Sequence, residues 1–128
     1  MSTVTALKLR KTSRVLEVTF GDGRTASLPF EYLRVFSPSA ELWGHGRVEP
    51  MLVGGKREVQ VLRAEPVGRY AVKLVFGDGH DTGLFTWDVL DRLERDYAAN
   101  WARYEARLSE AGMSRDRDVT SLRALLHR

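Results

Sequence analysis

Apolar and polar residues alternate along the start of the chain. Every second position is apolar or β-branched at Thr5, Leu7, Leu9 and again at Leu16, Val18 and Phe20. A period of two is typical of β-strands, so the pattern predicts two strands separated by a polar turn. Gly21-Asp22-Gly23 contains residues that tolerate the positive φ angles of a tight turn, and we therefore predict a β-hairpin that returns through 25–28.

The next segment combines a short helix with a long irregular connection. Aromatic residues crowd the run 30–36, which predicts a short helical turn whose aromatic side chains belong to the core. Between positions 37 and 56, prolines and glycines interrupt every period, and irregular connections of this length are usually functional or mobile. Ser37 followed by Pro38 is typical of a helix start, so we predict one helical turn through Leu42 and Trp43.

Strand character returns after this connection, and the chain then repeats itself. The pattern predicts strands at Val59, Val61 and, after a turn at 65–68, at Tyr70, Val72, Leu74 and Phe76. Segment 74–79 repeats the pattern of 18–23, and 87–90 repeats that of 30–33 with one residue inserted. We therefore predict two strand-turn-strand-helix units, a pair of similar β-hairpins that share one core.

The second unit continues into a long amphipathic helix. Apolar residues recur every three or four positions at Leu90, Leu93, Tyr97, Trp101, Tyr104 and Leu108. Thr86 is a suitable N-cap, and Gly112 suits the left-handed residue that ends a helix. A charged turn and a short last helix are predicted over 114–128.

These elements predict an α+β fold. Antiparallel β-hairpins form a small β-rich core, and a long C-terminal amphipathic helix and a short last helix follow. We place one domain, including the long helix, at residues 1–112 and a C-terminal helical extension at 113–128.

Composition limits the compartment and the chemistry of the protein. The chain has 128 residues, 43% of them hydrophobic, which is enough for a single core without metal or disulfide support. It contains no cysteine, which excludes disulfides, thiolate zinc sites and cysteine nucleophiles. Neither a signal peptide nor an apolar run of ~20 residues is present, so we expect a soluble, cytoplasmic protein without a membrane partner.

The sequence offers little support for catalysis. Both Gly-Asp-Gly triplets precede strand residues and not a helix N-terminus, which favours hairpin turns over phosphate-binding loops. Ser37 or Ser39 could be combined with His80 and Asp78 as in a serine hydrolase, but no nucleophile elbow surrounds either serine. We therefore predict no catalytic residues, no bound cofactor and no enzyme activity.

Two other binding functions stay open from the residues alone. Asp78, His80 and Asp81 are the tightest group of possible metal ligands and would make a small metal or cofactor site around His80, although neighbours on a strand point to opposite faces. The basic residues of the first strand would suit weak contact with nucleic-acid phosphates, although a net charge of +3 is a small excess. These basic residues are Lys8, Arg10, Lys11 and Arg14.

The segment 65–90 resembles a known family. Its Glu65-Pro66-Val67-Gly68-Arg69-Tyr70 start, its Gly77-Asp78-Gly79-His80 turn and its Trp87-Asp88-Val89-Leu90 end carry the resemblance. They are similar to the DUF971 family, also called the gamma-butyrobetaine hydroxylase-like N-terminal domain. The resemblance covers roughly residues 4–95, and the last helices lie outside it.

The resemblance implies a zinc-stabilised unit whose ligands are a Cys-Pro-Cys-x-x-Cys run and a later histidine. In this chain the corresponding positions are occupied by Ser37, Ser39, Leu42 and His80. Structural zinc contributes on the order of 10 kcal/mol in small fingers, which one remaining imidazole cannot supply. We therefore interpret these four positions as vestigial and predict no metal site.

The resemblance also implies a class of partner. Related domains stand beside an iron- and 2-oxoglutarate-dependent catalytic domain, or are fused to P-loop iron–sulfur carriers. We expect a non-catalytic protein-interaction module in iron or iron–sulfur metabolism, with an iron–sulfur carrier ATPase or an oxygenase as partner. The predicted partner-binding residues are Asp78, His80, Asp81 and Trp87, because a polar rim around a partly exposed tryptophan is common in binding patches.

Overall fold

The computed structural model describes residues 2–38, 52–80 and 83–116. Its elements in chain order are β1 (Val4–Arg10), β2 (Val15–Phe20), β3 (Thr25–Pro29), α1 (Phe30–Val35), β4 (Val61–Val67), β5 (Ala71–Phe76), β6 (Gly83–Thr86), α2 (Trp87–Arg95) and α3 (Tyr97–Glu110). The strands of the described residues form two three-stranded antiparallel sheets, in the orders β1-β2-β3 and β4-β5-β6. The predicted α+β class with antiparallel hairpins is confirmed. In the described ranges, no helix combines the length and apolarity needed to cross a lipid bilayer.

The two predicted repeats are equivalent at the level of single hydrogen bonds. In the first turn the Phe20 N–H donates to the Arg24 carbonyl at 2.8 Å, and in the second the Phe76 N–H donates to the His80 carbonyl at 2.9 Å. Both turns end in a glycine with a φ of 93°. Arg24 of the first repeat therefore corresponds to His80 of the second.

The repeats also match at the far ends of their hairpins. The backbone N–H of Phe30, the first residue of α1, donates to the Arg14 carbonyl at 2.8 Å. The N–H of Trp87, the first residue of α2, donates to the Tyr70 carbonyl at 2.9 Å. Each repeat therefore turns from strand to helix in the same way.

One predicted turn lies further along the chain than the sequence suggested. We expected a break at 65–68, but β4 continues through Pro66, which pairs with Val72 of β5. A proline is tolerated there because β4 is an edge strand, where the missing N–H can face away from the sheet. The turn is instead made around Gly68, with a φ of 56°, and Tyr70 lies outside β5.

The predicted long helix is two helices. Asp96 separates α2 from α3 with φ −97° and ψ 14°, yet its N–H still donates to the Arg92 carbonyl at 2.9 Å. The apolar face continues across this interruption: the side chains of Leu90, Leu93, Tyr104 and Leu108 are buried, and those of Tyr97 and Trp101 are partly buried. Thr86 caps α2 as predicted, through a 3.2 Å hydrogen bond from the Val89 N–H to its hydroxyl.

The segment after α3 returns to the first repeat. Gly112 has the predicted positive φ, 67°, and residues 113–116 are not helical. Arg115 donates two hydrogen bonds, of 2.9 and 2.7 Å, to the buried carboxylate of Glu31, and its guanidinium lies 4.9 Å from the Trp101 ring centroid. The rest of the predicted last helix and most of the predicted turn at 37–43 lie outside the described residues.

One hydrophobic cluster includes residues from both sheets and from α1, α2 and α3. Its largest fully buried side chains are Tyr32, Phe30, Phe76, Phe85, Leu16, Leu28, Leu33, Leu74, Leu90, Val18, Val61 and Val72. The aromatic residues of α1 therefore belong to the core, as the sequence predicted. Both repeats contribute to this single core.

Candidate functional site

The turn of the second repeat holds the candidate residues Asp78 and His80. Gly79 adopts a φ of 93°, which L-residues with a side chain rarely adopt, and this conformation closes the turn between β5 and β6. One carboxylate oxygen of Asp78, Oδ1, accepts the backbone N–H of His80 at 3.1 Å. Asp78 thus stabilises the backbone of its own turn, as the sequence predicted for an Asp-Gly pair.

The other carboxylate oxygen of Asp78 is shared by two cations. Arg34 Nε lies 2.8 Å and Lys56 Nζ 2.6 Å from Oδ2. Burial alone would raise the pKa of Asp78, but the hydrogen bonds from Lys56, the His80 N–H and Arg34 outweigh burial and lower that pKa to about 2. Asp78 therefore stays ionised near neutral pH and joins α1, the 52–60 segment and the second turn.

Sequence reasoning did not identify Arg34 and Lys56 as site residues. Arg34 is one of two charged residues in α1, and the other, Glu31, is bound by Arg115. The sequence did contain a signal for these contacts: α1 is otherwise aromatic and aliphatic, and a charged residue in such a helix needs a partner of opposite charge when it is buried.

The structure brings together two of the four positions at which the family resemblance implies zinc ligands. Ser37 Oγ lies 3.0 Å from His80 Nε2, and the Ser37 side chain is fully buried. The His80 ring packs against Phe76, with 5.8 Å between the ring centroids. Gly83 leaves room for this pair, since a Cβ at that position would lie 2.8 Å from Ser37 Oγ. Ser39 and Leu42 lie outside the described residues.

These residues do not fit a structural zinc ion. Structural zinc sites are built from thiolates and imidazoles, whereas Ser37 offers a neutral hydroxyl and Leu42 no donor atom at all. The hydroxyl of Ser37 and the imidazole of His80 are hydrogen-bonding partners of each other. Within the described ranges, no group of three or more His, Asp or Glu side chains could hold a metal ion.

Trp87 is not part of the same surface as Asp78 and His80. It follows β6, at the end of the hairpin opposite to the turn, so the length of β5 separates them, roughly 17 Å at about 3.3 Å per residue. The side chain is also buried, at 9% exposure, and its indole N–H donates to the Arg69 carbonyl at 2.6 Å. The expectation of a partly exposed tryptophan beside His80 is therefore wrong. Asp81 lies outside the described residues.

An open cleft of 480 Å³ lies next to Asp78. Its lining includes Lys56, Glu58, Gln60 and Gly77. Beside it stands Leu62, which is 49% exposed, and a Cβ on Gly77 would lie 3.7 Å from Leu62 Cδ2. The volume is in the range of ordinary ligand-binding pockets.

The basic first strand is partly neutralised within the protein. Arg10 forms an ion pair with Glu17 of β2. Lys11 Nζ donates to the Leu62 carbonyl at 3.1 Å. Two of the four cations that would contact nucleic-acid phosphates thus have partners inside the chain.

Comparison with known proteins assigns this chain to a family. It matches the model of the family described as "Gamma-butyrobetaine hydroxylase-like, N-terminal" over residues 7–91. The chain belongs to this family. No curated protein matches it.

Solved structures extend the likeness of this gamma-butyrobetaine hydroxylase-like domain beyond the family segment. Two proteins solved in solution by NMR are 50% and 48% identical, with a TM-score of 0.79 each. The similarity covers 90% and 92% of this chain and 86% and 93% of theirs. A crystal structure of a DUF971-family protein of unknown function from Acidithiobacillus ferrooxidans ATCC 23270 is 43% identical, with a TM-score of 0.61, and covers 72% of this chain and 92% of that one.

Proposed function

We propose that this domain is a non-catalytic protein-interaction module that uses the end of the molecule formed by the second turn. The observation that carries the proposal is the open cleft at Asp78, whose lining includes the charged residues Lys56 and Glu58. The half-exposed Leu62 lies next to Gly77, another lining residue. An apolar contact surrounded by polar residues is typical of protein interfaces. His80 borders the same turn and stays a predicted contact residue.

The geometry of the same residues argues against a hydrolase. Ser37 is fully buried, so its hydroxyl is not accessible to a substrate. Asp78 contacts the backbone nitrogen of His80, and its second oxygen is occupied by Arg34 and Lys56. A serine–histidine–aspartate relay needs the acid on the imidazole ring and an exposed nucleophile.

Family resemblance is the basis for the proposed partner. Because related domains accompany iron-dependent oxygenases and iron–sulfur carriers, we propose an iron–sulfur carrier ATPase or an oxygenase as the partner, with the complex formed in the cytoplasm. This part of the proposal rests on analogy between family members.

The proposal is tested by calorimetric titration of the purified domain with the purified iron–sulfur carrier ATPase and with the oxygenase of the same organism. We expect Leu62→Ala and His80→Ala to weaken binding at least tenfold, while Lys8→Ala, at a residue that does not line the cleft, leaves it unchanged. Melting curves of each variant control for folding. Wild-type affinity in both Leu62→Ala and His80→Ala, or failure of both candidate partners to bind the wild-type domain, would contradict the proposal.

A further inference from the structure

A second groove lies at the opposite end of the second repeat. It has a volume of 330 Å³, and its lining includes Tyr70, Thr86 and Trp87 together with the start of the chain at Ser2 and Thr3. Tyr70 is the most exposed large hydrophobic residue described, at 57%. The groove therefore offers one exposed aromatic side chain beside a largely buried one.

The backbone holds the two aromatic residues in place. Gly68 adopts a φ of 56°, which favours glycine, and a Cβ on it would lie 2.9 Å from the Tyr70 ring, so a side chain at this position would displace the ring. The Tyr70 carbonyl accepts the Trp87 N–H, and the Arg69 carbonyl accepts the Trp87 indole N–H. These hydrogen bonds fix the backbone of both residues and the Trp87 indole, and groups that are already fixed lose less conformational entropy on binding.

Two charged residues, Arg69 and Asp88, line the groove. The Asp88 Oδ1 accepts the Ser2 backbone N–H at 2.7 Å. This neutral donor occupies one carboxylate oxygen and leaves the negative charge in place. The exposed guanidinium of Arg69 forms no ion pair with any residue in the described ranges. Arg69 and Asp88 thus give the groove one charge of each sign, and Arg69 is the residue that can pair with an acidic group.

The first repeat has no equivalent groove residues. Arg14 occupies the position that corresponds to Tyr70, and Phe30 the position that corresponds to Trp87, as their matching hydrogen bonds show. Phe30 is fully buried. At these equivalent positions, only the second repeat combines tryptophan, tyrosine and arginine. These residue types dominate the binding energy at protein interfaces.

We propose that this groove binds a peptide segment of a partner protein in which an apolar side chain stands next to an aspartate or glutamate. The apolar side chain packs between Tyr70 and Trp87, and the neighbouring carboxylate pairs with Arg69. The site is separate from the cleft beside Asp78, so it extends the proposed interaction function and does not depend on the residues that carry it.

Selection of a phage-displayed library of random linear peptides on the purified domain tests the proposal. We expect the enriched peptides to share an apolar residue beside an acidic one. A synthetic peptide of the enriched sequence should bind Tyr70→Ala and Arg69→Glu at least tenfold more weakly than wild type, a loss of about 1.4 kcal/mol or more. Arg14→Ala, the matched change in the first repeat, should leave the affinity unchanged.

Exchanging the charges of the peptide and of residue 69 distinguishes a lost peptide contact from a general loss of structure in the variant. Replacing the acid of the peptide with lysine should abolish binding to wild type and restore it in Arg69→Glu. No enrichment of peptides, enriched peptides without an acid, or equal binding to wild type and Arg69→Glu would overturn the proposal. Leu62→Ala and His80→Ala should not change the peptide affinity, so failure at this groove and failure at the cleft are distinguishable.

Discussion

Arg34 and Asp91 occupy equivalent positions, each four residues after the aromatic residue that begins its helix, and each binds the hairpin turn of the other repeat. Arg34 of α1 lies 2.8 Å from Asp78 in the second turn, and Asp91 of α2 lies 2.9 Å from Arg24 beside the first turn. The helix residues are equivalent, but their turn partners are not, because Arg24 corresponds to His80 and Asp78 to Asp22. The two repeats are joined by a reciprocal pair of turn-to-helix ion pairs.

Loss of the Asp78 charge should destabilise the domain more than loss of the equivalent Asp22 charge. Asp78→Asn leaves the partly buried Arg34 and Lys56 without their counter-charge, and we expect a cost of about 1–3 kcal/mol in the free energy of unfolding. Arg24 keeps Asp91 and Glu94 when Asp22 is replaced, so Asp22→Asn should cost less. Urea unfolding of the two variants measures this difference in stability. Equal unfolding midpoints for Asp78→Asn and Asp22→Asn would contradict the prediction.

The glycines at the ends of the two turns should be equally sensitive to substitution. Gly23 and Gly79 share a φ of 93°, and a Cβ would meet no atom within 4 Å at either site. Gly23→Ala and Gly79→Ala should therefore each cost about 1 kcal/mol through backbone strain alone, and Gly79→Val at least as much. Gly77→Ala is the control, because its φ is not positive and its nearest contact, Gln60, would be 3.6 Å away. Thermal melts that rank Gly77→Ala as the most damaging change would refute the turn geometry.

The elements that depend on local patterns were predictable from the sequence. The alternation of apolar and polar residues predicts the strands, and each Gly-Asp-Gly triplet predicts a turn. The internal repeat predicts two similar units, and equivalent backbone hydrogen bonds occur in both. The break at Asp96 was not predictable, because the apolar spacing continues across it and neither proline nor glycine marks the position.

Long-range partners were beyond the reach of the sequence. Asp78 was recognised as a turn residue, but its ion pairs reach 44 and 22 positions away, to Arg34 and Lys56. The contact between Ser37 and His80 followed only from the family resemblance, which placed both among four metal-ligand positions. Trp87 was grouped with His80 because they are close in sequence, whereas a hairpin strand carries them to opposite ends.

Metal removal should have no effect on the stability of this domain. Ser37 and His80 hydrogen-bond to each other where the family resemblance places two zinc ligands, so we expect the core to be stable without an ion. We expect elemental analysis of the purified protein to find no stoichiometric zinc or iron, and chelator to leave the melting temperature unchanged. One equivalent of tightly held metal, or a lower melting temperature with chelator, would refute this interpretation.

Alkaline pH should destabilise the domain through two buried tyrosines. Burial raises the pKa of Tyr32 and of Tyr104 to about 12, whereas an unfolded chain ionises its tyrosines near pH 10. The folded state therefore retains protons that the unfolded state loses, so stability is full below about pH 10 and falls as pH rises from about 10 to 12. The loss could reach about 2–3 kcal/mol for each tyrosine.

Urea unfolding at a series of alkaline pH values measures this effect, with Tyr32→Phe and Tyr104→Phe as controls that remove one ionisable group each. Each variant should show a shallower fall in stability between about pH 10 and 12 than the wild type. Parallel curves for wild type and both variants would contradict the assignment.

The contact between Glu31 and Arg115 has a consequence for the order of folding during synthesis. Glu31 is 6% exposed in the finished domain, and its carboxylate is bound by a guanidinium that lies 84 positions later in the chain. While the ribosome is still translating the intervening residues, this carboxylate lacks the guanidinium that binds it in the folded domain, and burying it unpaired would be costly. We therefore expect the first repeat, although made first, to reach its final packing only after Arg115 has left the ribosome.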